Sequence, residues 1–516
     1  MVKVVNEAPR NLSNCYPRLS AYYAVQRFGM IFRLIIDKDY HLWHSCRPGQ
    51  LFTPNGPKVD SVDLVIIDCG AIADGQILNT AAIQSAIDQV SASGGGRVTI
   101  PAGVFLSGSL QIKAGVELYL AQGAVLLASS NYEDYSPKHL IPAITDGAVN
   151  EYVLPQRAFI SGFKAHQASI TGPGTIDGNA DNFIEERGRY IHSMRGPVGG
   201  KSQYLERPFT IFIIESDDLK LVDFTLKDPA FWAIRITGCD HSTIERVKIL
   251  TDLMVPNADG IDIDRCSDVL IKDCTLITAD DCISLKSCAG TAQYGDVSFI
   301  TIDNCYMKTT SGAITLGTES VGDIHNVLVE NCTVEDSHRG FAVRAREGGT
   351  ISDCVFRNST VKTRAFSPMW WGHGEALHVT AFSWNDPGHV GDGNPERALE
   401  GFVKNIRFEN LEIDTEAGIL NWAARPELID GVQYIDVRAR VGSRSKWDHR
   451  IDLRPNDISN FVERPHSAIE AVNCTNVSFA GCEVIWDKGS REKYGELVHT
   501  EFAPGLESAG IKESIA

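Results

Sequence analysis

Apolar and polar residues alternate in short blocks along most of this chain. "CSDVLIKDCTL" (266–276) and "CTNVSFAGCEV" (474–484) coincide in their apolar positions and in both cysteines. "DDLKLVDFTL", "DVSFITIDNCYM", "DIHNVLVENCTV" and "VKNIRFENLEI" follow the same template: alternating apolar residues, then Asn or Asp, then Cys, Leu or Phe. Alternation with a period of two predicts strands that bury one face. The equivalent positions are Phe224, Val247, Cys274, Cys305, Cys332 and Cys354, with Leu411 and Cys482 farther on. The first six are spaced by about 22 to 31 residues, the period of a solenoid coil. Asn or Asp ahead of the Cys suits a sharp corner, because both tolerate left-handed backbone angles.

Strands at this spacing, without long amphipathic helices between them, predict an all-β chain folded as a parallel β-helix. The cysteines then stack inside the coil as small buried hydrophobes. They lack the CxxC spacing of a metal site. One helix is expected, over "NTAAIQSAIDQV" (79–90), where Ile83, Ile87 and Val90 share a face. It would cover the open end of the solenoid and its unpaired edges. The following "SASGGGRVTIPAG" lacks the Gly-Lys-Ser/Thr of a phosphate loop and reads as a turn into a strand. The solenoid domain is expected over residues 61–487. Residues 1–60 fall outside the repeat as a separate segment, as suited to a homodimer contact as to a lid. Residues 488–516 read as a loose terminus or a capping strand.

Composition narrows the partners. The 516 residues carry a formal charge of −18 and no Lys/Arg-rich run, which argues against nucleic acid. The most apolar stretch near the start, "FGMIFRLIID" (28–37), is short and broken by Arg33, so no membrane span is expected. The opening "MVKVVNEAPRNL" lacks the pattern of a signal peptide. Thirteen cysteines in strand-like contexts add to an expectation of a reducing, cytoplasmic setting; a trimmed leader would make the protein secreted.

The candidate chemistry lies in "PNADGIDIDRCSDVLIKDCTLITADDCISLKS" (256–287). Asp259 and Asp280 stand about one coil apart, so they should lie nearly above one another on strands about 4.8 Å apart, with Asp281 beside them. Crowded carboxylates raise the pKa of at least one, giving a proton donor next to an ionised neighbour, as glycosidic hydrolysis requires. The same acids could instead cap coil corners or hold calcium.

"NADGIDI" followed by "ADDCISLKS" resembles the signature of the polygalacturonase family, glycoside hydrolase family 28. "DCGAIADGQILNTAAIQSAID", "GGGRVTIPAGVFLSGSL", "GPGTIDGNA", "ERPFTIFI" and "DPAFWAIRI" resemble other segments of that family in the same order, over residues 62 to 485. The resemblance implies a right-handed parallel β-helix that hydrolyses pectic polysaccharides with inversion, without metal or other cofactor. Asp280 matches the general acid, and Asp259 and Asp281 the pair that activates water. Asn257 matches the Asn of the family's Asn-Thr-Asp, with Ala258 in place of its Thr. Inverting enzymes leave about 6.5–9.5 Å between acid and base.

Two family motifs are altered. Gly312 falls where the His of Gly-His-Gly is expected, and Ala342, Val343 and Arg344 stand for Arg-Ile-Lys. Arg344, with Arg346 on the same strand face, keeps some cationic character, but Arg does not replace Lys neutrally. Hydrolysis is therefore expected on a galacturonan, a rhamnogalacturonan or a substituted pectin, with exo action on oligosaccharides. Further substrate contacts are expected from Glu319, Trp370 or Trp371, His373 and Glu375; the alternatives are packing and solvated loop positions. A β-helix lyase, a non-catalytic carbohydrate-binding β-helix and an inactive family member are the competing readings.

Overall fold

The computed structural model describes residues 62–136, 157–184, 207–366, 372–383, 399–447, 450–454, 462 and 464–516. Within them, strands of successive coils pair in parallel ladders, so that a strand between the ends of the solenoid has one partner a coil earlier and one a coil later. One face is a 12-stranded sheet. The other two faces merge into a 24-stranded sheet, because Thr350–Thr363, Phe402–Thr415 and Ile429–Val441 run on around a corner. The expected coil of stacked strands is present.

The corners obey the backbone rule read from sequence. Asp223, Asp273, Asn304, Asn331, Asn358, Asn410 and Asp436 all have positive φ. Each precedes an inward residue of one column, and their short polar side chains make the left-handed turn affordable. That column is Phe224, Val247, Cys274, Cys305, Cys332, then Ser359, Leu411, Val437 and Cys482, as the register beside it shows. Cys354 does not belong to it. It pairs with Val327 and Ile406 on the neighbouring ladder; the Cys-based template slipped there because a long strand carries both positions. Inside, Phe341, Phe356, Phe408, Tyr434 and Phe479 stack one per coil, with centroids 4.6–5.2 Å apart.

Helix α1, Thr80–Ala92, matches the expected capping helix and buries Ile83, Ala86, Ile87 and Val90 in the main core. At the other end the ladder continues past residue 487. Val498–Glu501 pairs with Ile469–Val472, and Ile511–Ile515 with Cys482–Trp486. The segment from 488 therefore carries the strands of a further coil. Residues 1–60 lie outside the described residues.

Six strands of the 12-stranded sheet carry the site: β1 (Ile234–Thr237), β2 (Ile261–Asp264), β3 (Ile283–Ser287), β4 (Gly312–Ser320), β5 (Arg339–Ala345) and β6 (Glu375–Ala381). Alternate residues fill the core. The outward row Arg235, Asp262, Ser284, Thr315, Ala342, His378 runs across all six.

Candidate active site

Three carboxylates meet where the chain enters β2 and β3. Asp259, Asp280 and Asp281 are buried, and each places a carboxylate oxygen within 4.8 Å of the others. The register pairs Ile261 with Ile283, and the Gly260 amide donates to the Asp281 carbonyl. Asp281, rather than Asp280, is therefore the ladder neighbour of Asp259. The sequence spacing had suggested Asp280; the actual step is 22 residues (261 to 283), one more than separates 259 from 280.

Local backbone bonds fix this corner. The Thr278 and Thr309 hydroxyls both donate to the Asp280 carbonyl, at 2.6 and 2.5 Å, and the Thr310 hydroxyl to the Ala279 carbonyl at 2.8 Å. Gly260 is required by close approach: a Cβ there would lie 2.3 Å from the Cys282 carbonyl oxygen. Asn257 sits at φ +54°, and its side-chain oxygen accepts from Arg207, which is fully buried and also donates to the Ala230 and Pro256 carbonyls.

The acids differ in surroundings. Asp281 Oδ1 accepts from the Ser311 hydroxyl and the Gly312 amide, each at 2.8 Å, and Oδ2 from Ser284 at 3.2 Å. Asp280 Oδ1 accepts from the Asp281 amide at 3.0 Å. Burial, then the charge of Asp281, pushes Asp280 up to about 7, against weaker opposition from Ser311 and Lys286. Asp259 is held well above the usual carboxylate range by burial and by Asp280 and Asp262, and its Oδ1 has no hydrogen-bond partner. A fourth acid, Asp262, is pushed up to about 8, chiefly by burial. Lys286 answers this excess of acid: its Nζ is 3.0 Å from Glu319 Oε2 and 3.7 Å from Asp262 Oδ1, and lies 4.9 Å from the Trp232 ring centroid. The set is a proton-sharing group of acids with one embedded cation.

The other expected contacts are dispersed. Glu319 is brought to the group through Lys286. Arg344 is buried within electrostatic reach of Asp281 and Glu319, and donates to the Arg454 carbonyl at 2.9 Å. Burial and Arg339 hold its guanidinium down at about 10. Arg346 turns to the Ala345 carbonyl and the Thr380 hydroxyl, with its guanidinium over Phe382. Glu375 Oε2 accepts from the His373 amide and lies 3.4 Å from Arg339 Nε, in register with Arg339 and, beyond it, Gly312. Trp370 and Trp371 lie outside the described residues.

Gly312, at the position expected for the family histidine, is closely packed. A Cβ on Gly312 would stand 2.4 Å from Thr315 Oγ1 and 2.9 Å from Asp281 Oδ1, so no side chain fits there without displacement. The side chain that reaches Asp281 from this segment is that of Ser311. The nearest oxygens of the three acids lie within 4.8 Å of one another, against about 6.5–9.5 Å between the carboxyl groups of an inverting acid and base. Asp259 and Asp281 are close because ladder neighbours are only one strand spacing apart, and Asp280 precedes Asp281 directly in the chain. Sequence reading missed Asp262, Lys286 and Ser311. The first two were visible as outward residues of "NADGIDI" and "ADDCISLKS"; the last needed the register.

Residues 91–369 match the family described as Glycosyl hydrolases family 28. A probable polygalacturonase of Vitis vinifera is 30% identical over 304 residues, 57% of this chain and 58% of that protein. An exo-poly-alpha-D-galacturonosidase of Dickeya chrysanthemi is 27% identical over 286 residues, 49% of this chain and 47% of that one. The chain thus spans about half the length of these relatives. Among solved structures, a family 28 exopolygalacturonase of Yersinia enterocolitica superposes with a TM-score of 0.59 at 18% identity, covering 87% of this chain and 79% of that one. An exopolygalacturonase of Thermotoga maritima gives 0.55 at 19%, covering 89% and 93%. These two likenesses are of fold, the right-handed parallel β-helix. With over half of its length matched, the chain belongs to glycosyl hydrolases family 28.

Proposed function

We propose that this protein hydrolyses glycosidic bonds in a pectin-type substrate, with Asp280 as general acid and Asp259 and Asp281 activating water. The observation that carries this reading is the buried trio of carboxylates: Asp280 is pushed up to about 7 and Asp259 well above the usual range, while Asp281 accepts three hydrogen bonds. An acid that keeps its proton near neutrality can protonate a leaving oxygen, and a carboxylate fixed by donors can take a proton from water. Relatives named as polygalacturonases support a galacturonate-containing substrate. Arg344 supports it too, as a buried cation with no carboxylate within 4 Å among the described residues.

Exo action is supported by residues 450–454, whose Arg454 carbonyl accepts from Arg339 and Arg344 and whose Asp452 carbonyl accepts from Arg339. This segment packs on Arg339 and Arg344, and a covered face would limit how long a polymer the site accepts. The eleven free cysteines among the described residues are consistent with the proposed reducing setting, where imported oligosaccharides would be the substrate.

The short separation of the acids favours a second reading, retention through a covalent intermediate, since retaining enzymes hold their carboxyl groups about 5–5.5 Å apart. The first experiment is product analysis on pectic polymers and oligosaccharides with wild type and Asp280→Asn. Saturated sugar released by wild type alone is expected. An unsaturated product would replace hydrolysis with elimination, and release by the variant at the wild-type rate would remove Asp280 from its role.

A further inference from the structure

Asp262 is a fully buried acid that no hydrogen bond satisfies. It stands on the outward row of β2, in register with Arg235 on β1 and Ser284 on β3. Both ladder neighbours turn their donors elsewhere. Arg235 donates to Asp264 Oδ2 at 2.8 Å and to Thr237 Oγ1 at 3.3 Å, and the Ser284 hydroxyl donates to Asp281. Lys286 Nζ lies 3.7 Å from Asp262 Oδ1, drawn away to Glu319 at 3.0 Å. Neither oxygen of the Asp262 carboxylate has a hydrogen-bond partner, and Asp259, three residues earlier, has one oxygen in the same condition. Buried polar groups are nearly always hydrogen-bonded in folded proteins, so two such acids within one group call for a functional cause. Asp281, on the adjoining strand, shows that donors were at hand, since it accepts three.

We propose that Asp262 is a positioning residue of the hydrolytic site, acting through Asp259 and Lys286 to set the pH range in which Asp259 serves as base. The proposal rests on the glycosidase reading above. The charged groups facing Asp262 are Arg235 on β1, Asp259 at the entry to β2, Asp281 and Lys286 on β3 and Glu319 on β4. Arg235 is committed to Asp264 and Lys286 to Glu319, so no cation is left to neutralise an ionised Asp262 fully. A buried carboxylate without donors is costly when charged. Burial accordingly pushes Asp262 up to about 8, against the opposing charges of Lys286 and Arg235. A negative charge on Asp262 repels one on Asp259, and it also competes with Asp259 for Lys286. Both effects have the same sign. The two acids therefore share a proton, and Asp259 ionises at a higher pH than it would alone. Asp262 touches no reacting atom in this role.

The test is the pH profile of kcat/KM for wild type, Asp262→Asn and Asp262→Leu, on oligogalacturonate or whichever pectic oligosaccharide wild type cleaves. Both variants remove the charge, one keeping a polar side chain and the other an apolar one. Both should move the pH optimum down by roughly one unit, because Asp259 then ionises more readily. Melting without substrate reads the charge of Asp262 itself. Its folded value of about 8 lies above the unfolded value near 4. Wild type is therefore penalised increasingly as pH rises through that window, and not below it. Asp262→Asn should melt higher than wild type at pH 8, by a margin that disappears toward pH 4. Should the Leu variant fail to fold, the Asn variant decides alone. An active wild type whose optimum is unmoved in Asp262→Asn overturns the proposal and leaves the glycosidase reading intact. So does a melting difference that is the same at every pH, or optima displaced in opposite directions by Asn and Leu, which mark a packing role. A wild type that releases no sugar from any pectic material overturns both this and the glycosidase reading.

Discussion

Lys286 and Glu319 form a buried ion pair, 3.0 Å from Nζ to Oε2, inside the same group of acids that holds Asp259 and Asp280. The cation opposes the upward shifts of Asp259, Asp262 and Asp280. Replacing it with an apolar side chain should therefore raise these acids further. Lys286→Met is expected to lower kcat/KM and to move the alkaline limb of its pH profile upward, since the proton donor keeps its proton to higher pH. Removing one partner of a buried pair costs about 3–5 kcal/mol, so the melting temperature should fall. Lys286→Met with Glu319→Gln should recover much of that stability while the limb stays displaced. Unmoved limbs in both variants would show that Lys286 serves packing alone.

Asp280→Asn separates catalysis from stability. Loss of the general acid should reduce kcat by roughly 10²–10⁴-fold. Stability should move the other way. Both states are protonated at pH 3, so Asp280 then imposes no penalty. As pH rises from the unfolded value near 4 toward about 7, the unfolded chain ionises first and the folded state falls behind. Wild type is thus destabilised progressively across that window, by an amount on the order of a few kcal/mol at its upper end. The Asn variant escapes this and should melt higher than wild type at pH 8, with the difference vanishing by pH 4. A melting difference that does not change with pH would contradict the burial argument.

These two residues also show what the sequence could convey. The strand alternation, the corner Asn and Asp residues and the capping helix are local in origin, so they were legible from residues 79–90 and from each repeat. Asp259, Asp280 and Asp281 were legible as a group because one coil separates them. Their pairing was not, since it depends on whether a coil holds 21 or 22 residues, which loop closure decides. The same limit explains Cys354, placed one ladder away from the other cysteines. The partner of Glu319 lies one coil earlier, on β3, and no local pattern announces such a contact.

Ser311 and Gly312 hold Asp281 from adjacent positions by different means, a hydroxyl and an amide, each at 2.8 Å. Ser311→Ala removes one bond to a carboxylate, worth roughly 1.5–3 kcal/mol for a charged acceptor. If that bond is made in the transition state, kcat should fall by about tenfold to a hundredfold, with little change in melting temperature. Gly312→Ala should be worse, because its Cβ must displace Thr315 or Asp281. Thr315 can change rotamer, but the carboxylate is fixed by three donors, so the catalytic geometry gives way. Steady-state kinetics that find Gly312→Ala at least as active as Ser311→Ala would contradict this ranking.

The stereochemistry of the product tests the site's geometry most directly. Asp259 and Asp281 stand one ladder step apart where the chain enters β2 and β3, which holds their carboxylates close. A water between Asp259 and Asp281 is excluded at that distance; a water held over the trio, on the open side, is not. Inversion then requires Asp259 and Asp281 to act on that one water together while Asp280 protonates the leaving oxygen. Proton NMR of the first turnover should show the anomer opposite to that of the substrate bond, and both Asp259→Asn and Asp281→Asn should lose activity without accumulating a glycosyl-enzyme. Retention of configuration, or a covalent adduct trapped on Asp259 or Asp281 by an activated fluorosugar, would assign that residue as a nucleophile. The close spacing would then be a catalytic distance in its own right, as well as a consequence of the coil.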